Sequence, residues 1–289
     1  MVILENDRIK IQVKNKGAEL DSVYSKQNNM EYLWSGDANF WNKKSPVLFP
    51  IVGTLKQNSY YFNNKSYSLQ RHGFARDMDF AVTSQTDESV TFTLTDDDKT
   101  LENFPFQFRL DIIYSVEADT FHVQYKVNNP GSDNMYFSIG AHPAFKIPLE
   151  KHLHYDDYHL EFEQVEDAYR WLISREGLIE PVTIPFLINT NILSITKELF
   201  REDALVFKYM NSHKVILKSN KSQHGLEVSY PGFPFIAFWA APHADFVCIE
   251  PWCGIADSTT SKQEFINKEG INLLTPSQVF DRTWSVRLF

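Results

Sequence analysis

Three short segments of the sequence place one ionisable side chain beside a proline, a glycine or an aromatic residue. Glu250 follows the apolar run 246–249 and precedes Pro251 and Trp252. Proline restricts the residue before it to extended backbone, which predicts that Glu250 lies where a strand is about to end. Apolar neighbours raise the pKa of a carboxyl group toward neutrality, as a general base requires. A solvated glutamate at a strand end is the alternative for this segment taken alone.

The other two segments carry histidines. His142 follows two small residues, which leave room for a ligand beside the imidazole, and it precedes Pro143. His72 lies between Arg71 and Arg76, which favours a multiply hydroxylated or anionic ligand. One such histidine alone is often a core residue. Two of them with a similarly placed glutamate indicate a site with an acid and a base that act near neutral pH.

Short segments of alternating apolar and polar residues make up most of the remaining chain. Clear examples are 9–13, 121–127 and 278–288, and the pattern is that of strands with one buried face. No long segment has clean helical periodicity, and the one helix predicted is a short one over 195–201. These elements predict an all-β chain, a large antiparallel sandwich or barrel in one domain over residues 1–289.

Two segments between these strands have their own signatures. Asn63-Asn64 predicts a hairpin turn, because asparagine tolerates positive φ. The apolar segment 45–53 contains Pro46 and Pro50 and ends in Gly53. Prolines at such positions make a poor central strand, so this segment is expected to line a site.

Composition excludes several classes of partner. The net charge of −9 and the pI near 5.5 argue against nucleic acids and anionic membrane surfaces. No apolar run is long enough to span a membrane, and the N-terminus lacks the features of a signal peptide. The only cysteines, Cys248 and Cys253, fit neither a zinc ribbon nor a disulfide framework and are expected to be buried thiols. A cytoplasmic protein, monomer or homodimer, is expected.

Cofactor motifs are also missing. The 11 glycines form no dinucleotide-binding or phosphate-binding loop, and no serine-hydrolase elbow is present. A weak metal signal comes from His152, His154, Asp156 and Asp157, a cluster more typical of a solvated loop. The sequence therefore predicts neither a cofactor nor a resident metal ion.

Together the motifs resemble the aldose 1-epimerase (galactose mutarotase-like) superfamily, with its LacX-like branch the most similar. The resemblance rests on the order and spacing of 48–53, 71–76, 140–145 and 249–252, and it extends over essentially the whole chain. It implies a cofactor-free antiparallel β-supersandwich that interconverts the α and β anomers of aldoses.

The resemblance also implies a role for each matching residue. Glu250 matches the base that takes the proton from the anomeric hydroxyl O1, and His142 matches the acid that protonates the ring oxygen O5. His72 matches a second histidine on the ring-oxygen side. Arg76 matches a ligand of the sugar hydroxyls, and Asp203 matches an aspartate that binds them. Reclosure after rotation about C1–C2 would give the other anomer.

The sequence does not decide between a free hexose and a hexose phosphate as the substrate. The histidine of galactose-type enzymes lies in an Asn-His-x-Tyr-like setting, whereas here the segment is Gly-Ala-His-Pro-Ala-Phe. Arg71 and Arg76 are compatible with a hexose 6-phosphate as well as with a free hexose. A carbohydrate-binding protein without catalysis is a third alternative, in which Trp252, Phe74 or Phe145 would stack on a sugar ring.

Overall fold

The computed structural model describes the whole chain, residues 1–289, and its regular structure is almost entirely β. The strands of the N-terminal half are β1 (Val2–Glu5), β2 (Ile9–Val13), β3 (Leu20–Ser25), β4 (Met30–Glu31), β5 (Val47–Leu48), β6 (Ser59–Phe62), β7 (Lys65–Ser68), β8 (Ala81–Gln85), β9 (Ser89–Thr95), β10 (Arg109–Glu117), β11 (Thr120–Asn128), β12 (Met135–Phe137), β13 (Ile139–Ala141) and β14 (Ala144–Lys146). Those of the C-terminal half are β15 (Tyr158–Ile173), β16 (Ile179–Ser194), β17 (Leu205–Lys208), β18 (Lys214–Ser219), β19 (Gly225–Ser229), β20 (Phe235–Trp239), β21 (Phe246–Cys253), β22 (Asn272–Leu274) and β23 (Val279–Leu288).

Helical structure is limited to short connections. The one α-helix is α1 (Asp98–Asn103), which begins at a capping box between Asp97 and Thr100. The 3₁₀ helices are Lys56–Asn58, Ala75–Asp77, Tyr155–Asp157, Lys197–Phe200 and Phe265–Asn267. None of the helices combines the length and the apolar character that crossing a bilayer demands.

Antiparallel pairing joins most strands into one long sheet. The sheet has 15 strands, and its main path runs in the order β5-β13-β21-β20-β17-β15-β18-β19-β23-β11-β10-β9-β8. β14 adds to β21, β16 adds to β15, and β1 to β4 form a separate sheet that contacts β9 and β10. Strict alternation of burial, as in β2 and β11, places one face of each strand in the shared core. The predicted antiparallel supersandwich is confirmed.

β21 differs from the alternating strands because every one of its residues is buried. It has β20 on one side and both β13 and β14 on the other. A strand that is paired on both edges and buried on both faces has a continuous apolar sequence, and the segment before Glu250 has such a sequence. The carboxyl group therefore enters a buried part of the sheet.

The predicted turn, helix and strand end agree with the structure to different degrees. The hairpin turn at Asn63-Asn64 is confirmed, with φ of 49° and 61° between β6 and β7. The helix over 195–201 is a 3₁₀ helix over Lys197–Phe200. Glu250 was predicted to lie where a strand is about to end, and β21 continues past it through Pro251 and Trp252 to Cys253. Pro251 is tolerated there since the ladder on one side of β21 is interrupted between β13 and β14.

Candidate functional site

His142 and Glu250 lie opposite each other on neighbouring strands. β13 pairs with β21 in the register that places Gly140 beside Trp252, and β14 resumes the same register after a short break. His142 occupies that break, which puts its side chain across from Glu250. Nε2 of the histidine lies 3.3 Å from Oε2 of the glutamate. The site thus starts from an acid–base pair that the sheet register aligns.

The pair lies at a cavity of about 480 Å³, a volume suited to a small ligand. The lining of the cavity combines charged and imidazole side chains with apolar ones. Its lining consists of Trp41, Gly53, Arg71, His72, Arg76, His142, Ile173, Gly177, Ile179, Phe200, Arg201, Glu202, Asp203, Ala204, Val206, Trp239, Pro242, Glu250, Trp252 and Ala256.

Small residues make room for this cavity. On β20, Ala237 pairs with Glu250 and also with Val206 of β17, so the neighbours of the carboxyl group are short. Gly140 is required beside Trp252, because a Cβ there would lie 2.6 Å from Cδ1 of the indole. The indole therefore packs directly against the backbone of Gly140, at the cavity wall.

Burial shifts the pKa values of the pair toward uncharged forms. Glu250 is 2% exposed and His142 is 8% exposed. Burial, with the Asp203 carboxylate adding to it, raises the pKa of Glu250 well above its ordinary value. Burial, with Arg76 and Arg71 adding to it, lowers the pKa of His142 to about 3. The two groups are 3.3 Å apart, so the attraction between their charged forms opposes both shifts and couples their titrations.

His72 is held in one tautomer by the segment 45–53. The backbone N–H of Gly53 donates to Nδ1 of His72 at 3.1 Å, and the N–H of His72 donates back to the carbonyl of Gly53 at 2.9 Å. A neutral imidazole that accepts at Nδ1 carries its hydrogen on Nε2. Burial and the nearby His142 lower the pKa of His72 well below its ordinary value, so the ring stays neutral and donates from Nε2.

The two arginines are positioned by backbone and hydroxyl groups. Nε of Arg71 donates to the Thr54 hydroxyl at 2.8 Å, and Nη2 of Arg76 donates to the carbonyl of Arg71 at 2.9 Å. Gly177 leaves the space that the Arg71 guanidinium fills, since a Cβ there would lie 1.9 Å from Nη2. These contacts leave further N–H groups of both side chains for a ligand.

Asp203 closes another side of the cavity. It precedes β17, and its Oδ1 accepts a hydrogen bond of 2.7 Å from the N–H of Ala204. The carboxylate is close enough to Glu250 to raise the pKa of that residue. Asp203 therefore offers a negatively charged acceptor to the hydroxyl groups of a ligand.

Polar atoms without partners concentrate at this cavity. Six buried side-chain nitrogen or oxygen atoms lack a hydrogen bond, and three of the six belong to cavity residues. These three are Nε of Arg76, Nδ1 of His142 and Nε1 of Trp252. An unsatisfied buried polar group is unfavourable by about 1–3 kcal/mol, so the arrangement favours a ligand rich in hydrogen-bonding groups.

Known proteins match this chain over nearly its whole length. The model of the family described as aldose 1-epimerase matches residues 1–270. The chain belongs to the aldose 1-epimerase family. Protein LacX of Lactococcus lactis subsp. lactis is 30% identical over 294 residues, with 99% of this chain and 98% of the relative covered.

Two solved structures of family members superpose closely. A galactose mutarotase related enzyme from Lactobacillus acidophilus has a TM-score of 0.96 at 30% identity and covers 100% of this chain and 97% of its own. A galactose mutarotase-like protein from Lactobacillus casei ATCC 334 has a TM-score of 0.94 at 31% identity, with both chains covered in full. The resemblance read from the sequence motifs is thereby confirmed at the level of family and fold.

The structure of this aldose 1-epimerase family member brings together nearly all the predicted site residues. The members that line the cavity are Glu250, His142, His72, Arg71, Arg76, Asp203 and Trp252. Phe74 does not line it. Its ring packs in the core, with centroids 6.3 Å from Phe49 and 6.0 Å from Phe108. Phe145 is fully buried, so neither phenylalanine is placed to stack on a sugar in this cavity.

Two tryptophans of the cavity were missed by sequence reasoning. The ring of Trp41 stacks on the imidazole of His142, with centroids 4.9 Å apart and planes at 29°. Trp239 meets the same imidazole edge-on at 5.7 Å. The sequence contained one indication for Trp41, because a tryptophan in a predicted loop is more typical of a binding site than of a core. Trp239 lies at the end of a strand and had none.

Proposed function

We propose that the protein is an aldose 1-epimerase that interconverts the α and β anomers of a free hexose by opening and reclosing the ring. The observation that carries the proposal is the Nε2–Oε2 distance of 3.3 Å between His142 and Glu250 at a cavity of sugar size. Mutarotation needs one group that accepts a proton and one that donates a proton, each able to exchange roles. A buried pair that shares one proton meets both needs.

The proton balance of the proposed reaction closes within the pair. In the charged arrangement, Glu250 takes the proton from O1 while His142 gives its proton to O5. The C1–O5 bond breaks, and C1–O1 becomes a carbonyl. The pair is left uncharged, which is the arrangement that burial favours. After rotation about C1–C2, Glu250 returns a proton to the carbonyl oxygen, His142 takes one from O5, and the ring closes on the other face.

The remaining polar groups would hold the sugar. Nε2–H of His72 would donate to an oxygen on the ring side, and Arg76 would donate to hydroxyl groups. Asp203 would accept from a hydroxyl, and the indole of Trp252 offers both an N–H donor and an apolar wall. Tight positioning of this kind supplies much of an enzyme's rate advantage.

The direct test is anomer exchange measured by NMR on α-glucose, α-galactose and their 6-phosphates, with the buffer rate subtracted. We expect the protein to accelerate exchange of at least one free hexose. Binding of a sugar without acceleration of any member of the panel would contradict the proposal and favour a carbohydrate-binding protein without catalysis.

A sugar phosphate is the second candidate, because three arginines line the cavity: Arg71, Arg76 and Arg201. Competition by a hexose 6-phosphate that disappears in Arg76→Ala would favour it. Indifference of the exchange rate to every phosphorylated sugar would remove it.

A further inference from the structure

Cys248 lies directly beside the acid–base pair. It precedes Glu250 by two residues on β21, so both side chains point to the same face of the sheet. Cys253 is on the opposite face, where its thiol donates to the carbonyl of Gly232 at 3.7 Å. Cys248 has no exposed surface, and the proposed reaction gives its thiol no role.

The three side chains around this point match the geometry of a metal site. A ligand atom from each of His142, Cys248 and Glu250 lies within 4.8 Å of the other two. Tetrahedral zinc binds nitrogen and oxygen at about 2.0–2.2 Å, which puts two such ligands about 3.3 Å apart. Nε2 of His142 and Oε2 of Glu250 are separated by 3.3 Å. These two ligand atoms already have the spacing that such an ion needs.

The chemical types of the three side chains also fit such an ion. Thiolate, carboxylate and neutral imidazole are the ligand types of zinc, and the two anions balance a dication. His142 and Glu250 line the cavity, so an ion between them would be reached from it.

We propose that His142, Cys248 and Glu250 form a binding site for a soft divalent cation of the zinc class, and that its occupancy blocks the acid–base pair. Coordination occupies the lone pair of the imidazole and the oxygen of the carboxylate, so neither can exchange a proton with a sugar. Binding releases the protons of the thiol and of the carboxyl group, which makes it stronger as the pH rises. The block rests on the proposed function, whereas the binding does not.

Binding is tested with Cd²⁺ and Co²⁺ added to the purified protein. We expect one ion per chain and a thiolate-to-metal charge-transfer absorption band. Cys248→Ser should abolish the band and weaken binding at least tenfold, and Cys253→Ser is the matched control that should retain both. An equal band in Cys248→Ser, or its loss in Cys253→Ser alone, would overturn the site. Glu250→Gln keeps the thiol and should also weaken binding, which covers the case in which Cys248→Ser fails to fold.

Inhibition is tested separately with Zn²⁺ in the anomer-exchange assay, each variant being compared with its own metal-free rate. We expect micromolar to submicromolar Zn²⁺ to slow the wild-type protein and Cys253→Ser, and to slow Cys248→Ser only at a concentration at least tenfold higher. Equal sensitivity of the two serine variants would overturn the proposed block. If no sugar is exchanged by the metal-free protein, the Cys248-dependent band alone decides the metal site, and the failure belongs to the proposed function.

Discussion

Two buried acid–base pairs, Asp257–Lys268 and His142–Glu250, differ in how completely their polar atoms are hydrogen-bonded. Lys268 and Asp257 are 2.9 Å apart, and Nζ of the lysine also donates to the carbonyl of Ile255 at 2.6 Å. The other carboxylate oxygen of Asp257 accepts from the N–H of Lys56 at 3.0 Å. The charged groups of this pair are hydrogen-bonded by their neighbours, and neither residue lines the cavity at His142 and Glu250.

The His142–Glu250 pair uses similar chemical groups in a different setting. Its 3.3 Å contact is longer, Nδ1 of the histidine has no partner, and both side chains line the cavity. A fully hydrogen-bonded buried pair ties backbone segments together, whereas an incompletely paired one keeps capacity for a ligand. Lys268 and Asp257 therefore have the contacts of a structural pair, and His142 and Glu250 have the open contacts that the proposed chemistry requires.

The largest effect is expected from removing the chemical pair. Glu250→Gln keeps the side-chain size and His142→Asn keeps a smaller polar side chain, but neither replacement can carry the proton, so each should lower kcat for anomer exchange by about 10²–10⁴. The free energy of unfolding should change by less than about 1 kcal/mol, because each replacement is uncharged in a site that favours uncharged forms. Polarimetry and denaturant unfolding measure the two quantities, and the exposed Glu264→Gln is the control. A fully active Glu250→Gln protein would remove the mechanism.

Breaking the structural pair should affect stability instead. Lys268→Met leaves the buried Asp257 without its cation, and loss of one partner of a buried pair lowers the free energy of unfolding by about 3–5 kcal/mol. The exposed Lys262→Met is the matched control, with an expected change within about 0.5 kcal/mol. Urea unfolding gives both values. An unchanged stability in Lys268→Met would mean that the contrast between the two pairs is wrong.

The smallest expected effect concerns how kcat/KM depends on pH. The lowered pKa of His142 and the raised pKa of Glu250 keep one proton on the pair between their two titration steps, so the profile should be flat through the ordinary histidine pKa of 6.5. Activity should fall well below that value, where the pair gains a second proton, and again above the raised pKa of Glu250, where the pair loses its last proton. The titratable and charged groups that surround the pair or line its cavity are His72, Arg71, Arg76, Arg201, Glu202, Asp203 and Cys248. An inflection near pH 6.5 after subtraction of the buffer rate would contradict a shared proton.

Much of the fold was accessible from local patterns. Alternation predicted strands such as β2, β11 and β23, because a strand with one buried face imposes a period of two on its sequence. The same rule could not place the end of β21, whose residues are all buried. An apolar run of this kind shows only that the segment is buried. Pro251 fits within β21 because the adjacent strands β13 and β14 are separated by a break at that point.

The site was predicted from residues that local sequence constrains. His72, His142 and Glu250 each stand beside a glycine or proline, and each lines the cavity. Phe74 shared that local setting and lies in the core instead, since its backbone neighbours do not reveal which way a ring will pack. Trp41 and Cys248 come to the site from a loop and from β21, and only tertiary packing brings them to the imidazole.

The sequence by itself determined the strand-rich architecture and the family motifs that contain the proposed acid–base pair, because backbone preference and burial period are properties of short segments. The tertiary structure decided the 3.3 Å contact, the shifts of both pKa values and the proximity of a thiol to the pair. Those quantities depend on the register between strands distant in sequence and on how much water their packing excludes, and neither is encoded in any one segment.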